Sequence, residues 1–106
     1  MNQTEVMHNV ARIIRLRLSD EYKIVLFGSW AYNTARPHSD IDIGILGKKP
    51  VPWNTLARIK NEVDELPTLR SVDIVDLTSV SFEFRKNALA NCKEITTTNA
   101  RDIFTT

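Results

Sequence analysis

Asp40 and Asp42 stand two residues apart in a run whose alternate positions are Ile41, Ile43 and Ile45. On a β-strand that spacing sends both carboxylates off one face with Cα atoms about 7 Å apart, while the isoleucines face the core and fix the register. Two like charges aimed at one spot repel each other unless a cation lies between them, and hard oxygen donors suit Mg²⁺ or Mn²⁺ rather than zinc. A third acid, Asp73, sits among branched apolar residues in Val72-Asp73-Ile74-Val75-Asp76-Leu77. Burying an aspartate there costs a few kcal/mol, roughly, unless its face lines a polar cleft or meets a cation. Asp73 and Asp76 are an odd number of residues apart and leave opposite faces, so only one can join the pair. Asp73 is the better candidate, and Asp76 reads as a strand-end or helix-cap residue. Upstream, Gly28-Ser29 closes an apolar run and opens a loop. Free backbone N–H groups and the serine hydroxyl can cradle phosphate oxygens there, and the missing Cβ of Gly28 lets them approach.

Six elements must hold these residues in place. Val6, Val10, Ile13, Ile14 and Leu18 recur at helical spacing, with Arg12 and Arg15 on the solvated side. Residues 22–27 form a compact run of β-formers ended by Gly28, and residues 39–46 make the second strand. After Pro50 and Pro52, the spacing of Leu56, Ile59, Val63 and Leu66 predicts a second helix closed by Pro67, with Trp53 anchoring its start in the core. Residues 72–77 give a third strand, and Thr78/Ser79 offer an N-cap to a last helix carrying Phe82, Phe84, Ala88 and Leu89. The order α, β, loop, β, α, β, α predicts a small α/β (α+β) domain with a mixed sheet flanked by helices. Residues 1–95 make this domain, and 96–106 read as a polar, threonine-rich tail or edge strand.

Composition narrows the chemistry further. A chain of 106 residues with 42% hydrophobic and 25% charged residues suits one folded domain. Its 14 basic and 13 acidic residues leave a formal charge of +1, so no bulk field favours a nucleic-acid backbone and direct nucleic-acid binding is not expected. The lone Cys92, with only His8 and His38 beside it, excludes an internal disulfide and disfavours a zinc site; Cys92 reads as a packed or idle thiol and His38 as a loop residue. Glu5, His8, Arg12, Arg15 and Arg17 interrupt any apolar signal core, and no long apolar run follows. A cytoplasmic location without membrane contact is expected.

The stretch from Gly28-Ser29 through His38-Ser39-Asp40-Ile41-Asp42-Ile43, followed by Val72-Asp73-Ile74, resembles the DNA polymerase β-like nucleotidyltransferases, specifically their minimal branch, the MNT domains. The resemblance spans nearly the whole chain. It implies that Asp40, Asp42 and Asp73 coordinate two Mg²⁺ ions, with Mn²⁺ as a substitute, and that Gly28 and Ser29 bind the triphosphate of ATP or another nucleoside triphosphate. Minimal members usually carry a basic residue and then glycine where this chain has Tyr32 and Asn33. Asparagine still tolerates a left-handed turn, and Arg36 is the candidate to replace the missing charge at the triphosphate. The resemblance further implies an antitoxin paired with a helical HEPN-type toxin; the small size of the chain suggests exposed apolar surface on the first or last helix as the docking site. The antitoxin would transfer AMP from ATP to a tyrosine of that partner; the alternative is a binding module that neutralises the partner by contact alone.

Overall fold

The computed structural model describes residues 2–28 and 40–95. Expectations that rest on Ser29, Trp30, Tyr32, Asn33, Arg36, His38 and the 96–106 tail lie outside the described residues. The first helix, α1 (Gln3–Arg17), starts at Asn2, whose side chain accepts a hydrogen bond of 2.8 Å from the Glu5 backbone N–H. Glu5 in the first turn and Arg15 and Arg17 in the last complement the helix dipole. Val6, Val10, Ala11 and Ile14 are buried as their spacing requires, and Leu18 caps the end. Arg12 is exposed as expected. Arg15 is not, because its guanidinium folds back over the helix end toward the Ser19 carbonyl and Asp20, which leaves its side chain only 9% exposed.

Four strands follow: β1 (Lys23–Phe27), β2 (Ile41–Leu46), β3 (Val72–Asp76) and β4 (Lys93–Glu94). They form one sheet in the order β3-β2-β1-β4. β1 is antiparallel to β2 and β4, while β2 runs parallel to β3, so the sheet is mixed as the element order implied. The β2–β3 crossover carries α2 (Trp53–Asp64), the helix that a parallel connection needs.

One face of this sheet holds the core. Ile24 and Leu26 of β1, Ile41, Ile43 and Ile45 of β2 and Ile74 of β3 pack against Val6, Val10 and Ile14 of α1 and Ile59 and Val63 of α2. The three β2 isoleucines are fully buried; at roughly 1.5–3 kcal/mol each, they tie the register of β2 to the core. An ion pair between Arg17 and Glu62 joins the two helices at the rim. The last helix, α3 (Phe82–Ala90), is capped by Ser81, which accepts from the Phe84 N–H at 3.1 Å, and not by Thr78 or Ser79. Those two residues stay in the turn after β3, where the Gly47 N–H donates to Thr78 Oγ1 and Ser79 bonds Asp76.

One other expectation changes, and one strand is new. Trp53 begins α2 but is 84% exposed. It lies about 120° around the helix from the buried Ile59, which takes the core-facing position in its place. β4, adjoining the tail, is a two-residue strand too short to carry a periodic signal; it is held by β1, and the next residue's N–H donates to the Ile24 carbonyl at 2.8 Å. Among the described residues, no helix is long and apolar enough to cross a membrane.

Candidate active site

Asp42 and Asp73 are register partners across the parallel β2–β3 pair. Partnered residues of neighbouring strands share a face and lie about 4.8 Å apart at Cα, so both carboxylates leave the sheet opposite the helical core. β2 begins at Ile41, two residues later than the expected 39–46, so Asp40 immediately precedes the strand and is not part of it. Its charge nevertheless reaches Asp42. Burial, then Asp73, then Asp40 push the Asp42 carboxyl above the ordinary carboxylate range. Of the three predicted acids, the register brings Asp42 and Asp73 together directly, and Asp40 joins them through its field.

The folded chain therefore holds a proton on Asp42 more tightly than the unfolded chain does. That contribution to stability is fully present below the ordinary carboxylate pKa and is lost as pH rises through the raised folded value. Asp42→Asn removes the repelled charge. It is expected to stabilise the metal-free protein at pH 7 by about 0.5–1 kcal/mol after allowing for solvent screening, a Tm rise of roughly 2–8 °C. Thermal melts of both proteins at pH 7 and pH 4 check this, because the difference should shrink at the lower pH.

Gly28 explains how the strand end fits beside these acids. Its φ of +74° is a left-handed backbone that a side chain resists. A Cβ there would also overlap Asp42 Oδ2 and lie 3.2 Å from Asp42 Cγ. The close approach that glycine permits is thus, first of all, to a carboxylate of the same site. Gly28→Ala is expected to destabilise the fold by about 1–2 kcal/mol from the backbone alone. Because it displaces Asp42, it should also cut turnover about 100-fold; denaturant melts and single-turnover rates read the two effects separately.

Asp76 takes the other face, paired with Ile45. It is only 8% exposed, and its carboxylate accepts from the Val51 N–H at 2.9 Å, the Thr78 N–H at 3.0 Å and the Ser79 hydroxyl at 2.8 Å. Asp76 is thus a strand-end residue that gathers three donors, and it takes no part in the acidic group.

Two features near the acids escaped the sequence reading. Phe27, the β1 partner of Asp42, meets Phe84 of α3 edge-to-face at a centroid distance of 6.3 Å, so α3 borders the site face. Beside Asp73, Lys60 and Asp64 of α2 line an open cleft of about 240 Å³ with Val72 and Ile74. Their i, i+4 spacing on a polar helix face gave no cue beyond an ordinary solvated surface.

Among the described residues, no three histidine, cysteine, aspartate or glutamate side chains already stand grouped to hold a metal ion. The donor chemistry fits a divalent cation all the same. Asp42 is raised by burial and then by two neighbouring carboxylates, and a hard cation between them is the charge that relieves the repulsive part.

Comparison with known proteins bears on the same residues. The family described as polymerase beta, nucleotidyltransferase matches residues 15–101. The Probable protein adenylyltransferase MntA of Haemophilus influenzae is 27% identical over 77 residues, covering 73% of this chain and 68% of that protein. A solved structure described as a toxin–antitoxin with AMP-PNP superposes with a TM-score of 0.62 at 22% identity, over 96% of this chain and 81% of that one. Another, a tri-AMPylated Shewanella oneidensis HEPN toxin in complex with an MNT antitoxin, gives a TM-score of 0.59 at 23% identity, over 94% of this chain and 77% of its counterpart. At these identities the two solved structures establish a shared fold.

Proposed function

The chain belongs to the polymerase beta nucleotidyltransferase family, and from that premise we propose that it transfers AMP from ATP to a tyrosine hydroxyl of a HEPN-type helical partner, as an antitoxin. The observation that carries the reading is the pairing of Asp42 with Asp73 on one face, next to the Gly28 turn. The relative named as a protein adenylyltransferase supports AMP as the transferred group, and the HEPN toxin in the similar complex supports the partner class. Phe82 and Phe84, exposed on α3 at the border of the site, support docking there. An ATP-dependent reaction and the single free Cys92 suit a cytoplasmic location.

Asp40, Asp42 and Asp73 would hold Mg²⁺, two ions in the family pattern, with Mn²⁺ as a substitute. When bound, such ions neutralise the triphosphate and the departing pyrophosphate. The protein's own part is placement and proton transfer. The Gly28 turn, with Ser29 and Arg36, seats the triphosphate. Asp73 takes the proton of the acceptor hydroxyl as its oxygen forms a bond to the α-phosphorus, the bond from that phosphorus to the β-phosphate oxygen breaks, and pyrophosphate leaves.

One assay tests the reading. The chain is incubated with ATP labelled at the α-phosphate, Mg²⁺ and a HEPN-type protein, and wild type is compared with Asp40→Ala/Asp42→Ala. Label on the partner with wild type alone is the expected result. Equal protection of cells by both forms, with no label on the partner, would instead mean neutralisation by contact.

A further inference from the structure

Among the described residues, β3 is the outermost strand on its side of the sheet, and it carries Asp73. The direction of its backbone groups follows from two hydrogen bonds. The Ile41 N–H donates to the Ser71 carbonyl at 2.8 Å, and the Leu77 N–H donates to the Ile45 carbonyl at 2.9 Å. In a parallel ladder the N–H and C=O of one residue point the same way, and direction alternates along the strand. Residues 71, 73, 75 and 77 therefore turn toward β2, and Val72 and Ile74 turn their N–H and C=O outward. Among the described residues nothing pairs with these outward groups. An unpaired edge of this kind is a template for a further strand, and proteins normally cover or blunt it.

Space lies beside that edge. The cleft of about 240 Å³ runs along Val72, Asp73 and Ile74 below Lys60 and Asp64 of α2. A second one, of about 360 Å³, continues it past Ser71 toward the loop that follows α2 and again includes Asp73. Both are open and mostly polar, which suits an extended backbone better than an apolar ligand.

We infer that an extended segment of the acceptor protein adds to the outer edge of β3 and so presents its hydroxyl-bearing side chain beside Asp73. This inference rests on the transfer reading above and deepens it. The outward N–H and C=O of Val72 and Ile74 would give the segment two backbone anchor points, one on either side of Asp73 in sequence. In a sheet, the residue directly opposite Asp73 on the added strand leaves the same face, with Cβ atoms about 5 Å apart. Its side chain is carried over the face on which Asp42 lies, and its sequence neighbours fall on the opposite face. Recognition would thus be mostly main-chain, with selectivity coming from which residue falls opposite Asp73.

Amide hydrogen exchange on the intact protein, free and mixed with the same HEPN-type protein, is the direct test. Exchange at Val72 and Ile74 is expected to slow at least about tenfold in the complex, while Asp73 and Val75, bonded to β2, are protected in both states. Val72→Pro removes one outward donor without touching the β2 ladder, a change edge strands tolerate. It should lower label transfer about tenfold or more and leave affinity for Mg²⁺-ATP within about twofold. If Val72→Pro does not fold, exchange in the wild-type protein decides. Label transfer with unchanged exchange at Val72 and Ile74 overturns the edge and leaves the transfer reading standing. Protection already present in the free protein means that the chain itself or a second copy covers the edge, and overturns it too. No label transfer by wild type sinks the transfer reading and this inference with it.

Discussion

Asp73→Asn is expected to lower AMP transfer about 1,000-fold while leaving the fold intact. The side chain is exposed, and no hydrogen bond among the described residues ties it to the scaffold, so asparagine takes its place without strain. The chemical loss is large because the amide can neither accept the acceptor's proton nor bring negative charge to the cation, and a placed base alone contributes about 10²–10⁴-fold. The substitution also removes a carboxylate that raises the pKa of Asp42. Stability at pH 7 without metal should therefore rise slightly or stay level. A loss of turnover with an unchanged or higher Tm separates a chemical role from a structural one. Equal losses of activity and stability would place Asp73 in the scaffold.

Asp76→Ala should do the reverse. The buried carboxylate holds the Val51 and Thr78 N–H groups and the Ser79 hydroxyl, and so pins the end of β3 to the segment entering α2. Truncation leaves two backbone donors without their partner where water has little access. The expected cost is about 3 kcal/mol or more, a large part of a small domain's total stability. Asp76→Asn should cost less, because an amide oxygen still accepts one or two of these bonds. Urea melts give the values. At temperatures where the variant stays folded, transfer should be within a few-fold of wild type, because Asp76 lies on the far face from Asp42 and Asp73.

The contrast between these two aspartates shows what the sequence could carry. Strand periodicity separated Asp73 from Asp76, and alternation with Ile41, Ile43 and Ile45 turned Asp42 away from the core. Both signals are local, and both reappear as register partners. Gly28 was legible as a special backbone position, yet its nearest neighbour is the Asp42 carboxylate, a contact made across two strands that spacing cannot encode. Trp53 was misjudged because helical spacing gives an angle, and the face that packs is set by which residues the sheet meets. The Ser81 cap was missed by two to three residues because Thr78 and Ser79 are equally good cap formers, and tertiary bonds to Gly47 and Asp76 engaged them first. The open edge of β3 was invisible for a similar reason. Strand order depends on which strands find each other, and Val72-Asp73-Ile74-Val75-Asp76 reads alike at an edge and in the middle of a sheet.

The most direct test of the site is carbon NMR of the aspartate side-chain carboxyls during titration with Mg²⁺ and a non-hydrolysable α,β-methylene analogue of ATP. The resonances of Asp40, Asp42 and Asp73 should move together and saturate at one stoichiometry, with Asp76 unmoved. Saturable binding that leaves the Asp42 and Asp73 carboxyls where they began would place the nucleotide elsewhere on the molecule and contradict the account.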